Sequence, residues 1–128
     1  MRRLTMDDSG AVVADFALTI SVVLTVIFAM FQFGIIFIAN AGLQNAVGDA
    51  ARLATLWPRR SQEQLAAQLT LSHFGLSAAN LSTPTFTYGT SNGSDYVDIS
   101  QSYNAQLNFA FFDYPTITLH QTRRAYLP

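Results

Sequence analysis

A chain of 128 residues makes one domain at most beside any membrane-spanning element, and its formal net charge of −1 leaves no electrostatic footprint for nucleic acid or a strongly acidic surface. It contains neither Cys nor Lys, which excludes a disulfide framework, a thiolate nucleophile and a Cys-based metal site. Its two histidines, His73 and His120, lack an Asp or Glu at metal-ligand spacing, and there is no glycine-rich phosphate loop, GxSxG elbow or pair of catalytic carboxylates. These features argue against an enzyme, a cofactor, a metal site or a small-molecule substrate.

Residues Met1 to Gly10 are short and polar, with Arg2 and Arg3 ahead of Asp7 and Asp8. Two cations favour a cytoplasmic N-terminus. Between Asp15 and Asp49 there is no charged residue, and Ala, Val, Leu, Ile, Phe and Met dominate Phe16 to Ala39. That run meets the ~20 helical residues needed to cross a hydrocarbon core ~30 Å thick, so it predicts a membrane-spanning helix. The rival is a removable secretory signal, for which Ala39-Asn40-Ala41 imitates a cleavage site. A signal's apolar region is only ~7–15 residues, shorter than this one.

Beyond the apolar run, Leu43, Val47, Ala50, Ala54 and Trp57 recur at spacings of four and three, an apolar seam on one helical face. The pattern predicts one helix from Ala11 to Trp57, ~70 Å long at ~1.5 Å per residue, half of it outside the bilayer. Pro58 should end it. Gly34, Gly42 and Gly48 each weaken a helix by ~1 kcal/mol relative to Ala, and mark either close packing or a bend.

Ser61-Gln-Glu-Gln64 has the form of a capping box, and opens a short amphipathic helix with Leu65, Leu69 and Leu76 as buried residues and Gly75 near its end. From Pro84 the period becomes two. Phe86 and Tyr88, then Val97, Ile99 and Tyr103, alternate with polar neighbours on either side of Gly89–Ser94, which predicts a hairpin. Thr116 to Thr122 reads as a third strand, and Arg123-Arg124 as its solvated end or, alternatively, a phosphate or acidic-partner site. Phe86, Val97, Ile99, Ile117 and Leu119 should pack against Leu65 and Leu69. The connector holding Leu107, Phe109, Phe111, Phe112 and Tyr114 either folds beneath the sheet or forms a patch that touches lipid headgroups or a partner. A head from Arg59 to Pro128 is marginal in size for an independent core, so it should lean on the long helix or on neighbouring subunits.

One carboxylate, Asp15, stands at the start of the apolar run, five residues after a lone Gly10. Ser9-Gly-Ala-Val-Val-Ala-Asp-Phe-Ala-Leu18 resembles the N-terminus of a type IV-like prepilin, and more narrowly the TadE-like pseudopilins of the bacterial tight-adherence (Tad/Flp) pilus system. Leu43-Gln-Asn-Ala46 with Ala50-Ala-Arg52-Leu-Ala54 resembles that family's run after the span. The resemblance implies a leader ending at Gly10, cleavage by a prepilin peptidase to expose Ala11, and an assembly role for Asp15 and the aromatic Phe16. Asp15 stands where the family has Glu. The major pilins of the system are much shorter, which argues for a minor subunit.

The sequence thus reads as an α+β protein: a leader over residues 1–10, a transmembrane and protruding helix over 11–57, and a head over 58–128 with a short helix and a small antiparallel sheet of about three strands. By resemblance it is a minor pilin needed for assembly of an adhesive pilus. It would sit in the inner membrane with its N-terminus in the cytoplasm and its head outside, beside other pilin and pseudopilin subunits. Two other classes compete: a signal-anchored envelope binding or sensor protein that keeps its leader, and a secreted binding module beginning near Gly42.

Overall fold

The computed structural model describes the backbone of residues 8–106, 108–109, 112–113 and 116–128, and the side chains of 10–106 and 116–128. The fold is α+β. Helix α1 runs Asp8–Ala54 and α2 runs Gln62–Leu71; a 3₁₀ turn at Ala78–Asn80 precedes the strands. These are β1 (Thr85–Ser91), β2 (Ser94–Ala105), β3 (Asn108–Phe109), β4 (Phe112–Asp113) and β5 (Ile117–Tyr126). Strands β1, β2 and β5 form an antiparallel sheet in the order β1-β2-β5, while β3 and β4 pair with each other.

The chain divides into two units, residues 1–34 and 35–128, with α1 contributing to both. In the first, the described side chains belong to α1 alone, and Val12, Val13, Phe16, Leu18, Phe28 and Met30 are exposed. Ser21 Oγ donates to the Ala17 carbonyl at 2.7 Å and Thr25 Oγ1 to the Ser21 carbonyl at 2.8 Å. Hydroxyls bonded to their own helix are how polar side chains are tolerated in an apolar run. Among the described residues, α1 is the one helix long and apolar enough to cross a membrane.

The second unit has its own core. From α1 it takes Ala39, Leu43, Ala46, Val47, Ala50 and Ala54, each at most 2% exposed. Four of the six are Ala, so other elements can approach the helix closely. Leu65 and Leu69 of α2, Val97, Ile99, Tyr103 and Ala105 of β2, and Ala125 of β5 complete the cluster, with Phe86, Leu76, Ile117 and Leu119 partly buried around it. Burial of β2 alternates along its length, as expected of a strand with one face on a core. At Gly42 an added Cβ would collide with the Phe74 carbonyl oxygen, so the loop after α2 rests on bare helix backbone.

Four boundaries differ from the sequence expectation. Helix α1 stops at Ala54, and Trp57 is 79% exposed rather than part of the seam. Residues before a proline avoid the helical region, and here Thr55 N and Leu56 N close turns onto the Arg52 and Leu53 carbonyls at 3.2 Å. Helix α2 has the expected capping box between Ser61 and Gln64, but ends at Leu71, leaving Leu76 in the loop past Gly75, whose φ is +71°. The hairpin turn is only Asn92-Gly93, at φ 52° and 78°. Two residues in the left-handed region make the tight turn that matches strand twist, so both strands extend to it. Finally, β5 continues to Tyr126, which puts Arg123 and Arg124 inside a strand instead of at a solvated end.

Candidate functional site: an exposed apolar helix and the head it anchors

The residues singled out at the N-terminus lie on the first turns of α1. Gly10, Ala11, Asp15 and Phe16 are helical and exposed, Phe16 by 67%. A Cβ built on Gly10 meets nothing within 4 Å. A carboxylate at position 15 lies about 6 Å along the helix from Ala11 at ~1.5 Å per residue, about two turns inside α1 as it begins at Asp8. Phe111 and Tyr114 of the aromatic connector fall outside the described residues, as do the side chains of Phe109 and Phe112.

From Val12 to Ile38, α1 exposes large apolar side chains, including Phe31, Phe33 and Phe37. From Ala39 onward the same helix has a buried face. The change is anchored by polar contacts that the sequence did not reveal. Gln121 Nε2 donates to Asn40 Oδ1 at 3.0 Å, which ties β5 to α1. Ser72 Oγ donates to Asp49 Oδ2 at 3.2 Å, which ties the end of α2 to the same helix. Gln101, only 3% exposed, donates through Nε2 to the Ser82 carbonyl at 3.3 Å and meets His73 Nε2 at 3.4 Å through its Oε1. A buried amide needs such partners, because leaving one unpaired costs ~1–3 kcal/mol. His73 is thus a satisfied core neighbour.

The opposite face of the sheet is polar. Arg124 grips Asp98 with two hydrogen bonds of 2.8 Å, and its guanidinium lies 3.9 Å from the Tyr96 ring centroid. Those hydrogen bonds, more than simple charge attraction, hold the Asp98 carboxyl below its ordinary range and raise Arg124. Tyr96 meets Tyr126 edge to face at 6.3 Å and covers Gly89. Further along, His120 bonds Ser102 at 2.8 Å and Thr122 at 3.1 Å, while Ser100 bonds Thr122 at 2.9 Å. Asp98, Ser100 and Ser102 thus each meet a polar side chain of β5 across the strand pair. No group of three or more His, Cys, Asp or Glu that could hold a metal ion exists among the described residues.

Comparison with known proteins agrees on the helix. A family model described as TadE-like protein matches residues 10–52. That span begins at the glycine before the apolar run and ends two residues short of the end of α1. No curated protein and no solved structure matches the chain.

Proposed function

We propose that this chain, which is TadE-like over residues 10–52, is a minor pilin of a Tad pilus: a structural subunit needed for assembly, with no catalytic role. One observation carries the reading. A single helix exposes apolar side chains from Val12 to Ile38 and supplies core residues of the head from Ala39 onward. An anchor built this way can be withdrawn from lipid and packed among other helices without refolding the head.

In this proposal the N-terminus is cytoplasmic and the head lies outside the inner membrane. A prepilin peptidase cuts between Gly10 and Ala11, and Asp15 pairs with the new α-amino group of a neighbouring subunit. That ammonium is mostly protonated at neutral pH, given a reference pKa of ~7.7–8.0. In an apolar medium two such charges neutralise each other where either alone would be costly. A secreted module starting at Gly42 fits less well, because it would lose buried Ala39 and the Asn40 partner of Gln121.

Deleting the gene tests the role directly. Surface pili should disappear and return with the wild-type gene in trans. Normal pili in the deletion strain would refute a subunit needed for assembly.

A further inference from the structure

A groove of about 460 Å³ runs between α1 and β5, lined by Gly48, Ala51, Arg52 and Thr55 on one side and Arg123, Arg124, Ala125 and Tyr126 on the other. The helix side is nearly bare, since a Cβ at Gly48 would meet nothing within 4 Å. The strand side is the outer edge of the sheet ordered β1-β2-β5, unpaired among the described residues. Leu127 N donates to the Asp95 carbonyl at 2.8 Å, one step past the Tyr96↔Tyr126 pair, so odd-numbered residues of β5 direct their backbone groups at β2. Alternation along a strand then turns the N–H and C=O groups of His120, Thr122, Arg124 and Tyr126 outward. Among the described residues none of these has a backbone partner across that edge.

The groove is also one-sided in charge. Arg124 is neutralised by Asp98, but among the described residues Arg52 and Arg123 have no acidic partner and the groove lining contains no carboxylate. Arg123 points to the core side of the sheet yet stays exposed. An inward charge ordinarily blunts an edge against unwanted pairing. Here it stands in a groove with a second arginine, so the edge is closed to most strands and open to one that brings carboxylates.

We infer that this groove receives an extended acidic segment of another protein, added as a fourth strand on β5 with its carboxylates on Arg52 and Arg123. Main-chain hydrogen bonds hold such a segment, and the two guanidinium groups select it, since Arg matches carboxylate geometry in two-point contacts. Anionic lipid is the weaker occupant. Gly48 begins about 13 Å of helix past Ala39, at ~1.5 Å per residue, and the strand edge offers lipid nothing to pair with.

The test uses the full chain in detergent micelles and two fluorescent synthetic peptides of about ten residues, Val and Thr alternating with Glu in one and with Lys in the other. The Glu peptide should bind and the Lys peptide should not. Arg52→Glu, at an exposed helix position, should weaken the Glu peptide at least ~10-fold. Thr122→Pro removes an outward N–H at an edge position where proline is tolerated, and should abolish binding while circular dichroism keeps its strand signal. Hydrogen exchange at Thr122, Arg124 and Tyr126 should slow when the Glu peptide is added. Failure of the Glu peptide to bind below about 1 mM, or equal binding of both peptides, overturns the inference. So does Arg52-dependent binding to phosphatidylglycerol vesicles, or Arg52-dependent self-association, in the absence of peptide binding. Loss of pili in a deletion strain does not depend on any of these outcomes.

Discussion

Gln121 Nε2 donates to Asn40 Oδ1 at 3.0 Å across 81 positions of sequence, which joins the last strand of the head to the turn of α1 where its side chains begin to be buried. Removing one partner leaves the other without its hydrogen bond in a half-buried place. Gln121→Ala should cost ~1 kcal/mol, a fall of several degrees in the melting temperature of the head. An unchanged melting curve would show that the contact carries no stability.

The buried pair Leu65 and Leu69 fixes α2 on α1. Either Leu→Ala change deletes three carbons from a packed site and should cost ~2–5 kcal/mol. In so small a head that is enough to speed limited proteolysis severalfold. Wild-type digestion kinetics for Leu69→Ala would mean that α2 is not docked.

Two glycines of α1 should respond in opposite directions. Gly42→Ala drives a methyl group into the Phe74 carbonyl oxygen and should cost ~1–3 kcal/mol as overpacking. Gly48→Ala meets open space and should stabilise the helix by ~0.5–1 kcal/mol. Thermal unfolding of the two variants side by side separates close packing at residue 42 from simple helix propensity at 48.

The Asp98–Arg124 pair makes a pH prediction whose sign is fixed. Its folded carboxyl pKa lies below the unfolded value of ~3.9, so its contribution is present above that pH and is lost as pH falls through the lowered folded value. Asp98→Asn should therefore destabilise the head modestly at pH 7, less in high salt, and progressively less as pH falls below the ordinary carboxylate range. A deficit at pH 7 that high salt leaves undiminished would point to packing instead of charge.

Asp15→Asn keeps the size and removes the charge at the start of the apolar run. It should insert and be processed as wild type but fail to cross-link to other pilus subunits, whereas Asp15→Glu should assemble at least as well as the native residue. Equal assembly of Asp15→Asn would reduce the carboxylate to a helix-end charge.

The sequence disclosed the elements whose signal is local. The apolar run without charge, the capping box at Ser61, the four-and-three spacing of Leu43, Val47, Ala50 and Ala54, and the alternation through Val97 and Ile99 each needed only neighbouring residues. What it hid depends on register. Arg123 and Arg124 read as a solvated end because nothing in their own neighbourhood announces that Ile99 and Asp98 stand across from them. The turn residues Asn92-Gly93 were inside the predicted loop, yet their left-handed geometry alone decides that both strands reach them. Trp57 kept the helical spacing while Pro58 made that spacing irrelevant. In sequence alone Gly42 is compatible with either packing or bending, and the Phe74 backbone decides in favour of packing.

In the proposed function, α1 is a membrane anchor made ready for assembly by removal of residues 1–10. Mass spectrometry of the mature protein from the membrane fraction reads this directly, through its N-terminal residue. The mature chain should begin at Ala11, and a full-length precursor should accumulate when Gly10→Leu blocks the cut. A membrane protein that still carries Met1 to Gly10, or a soluble one that begins near Gly42, would contradict it.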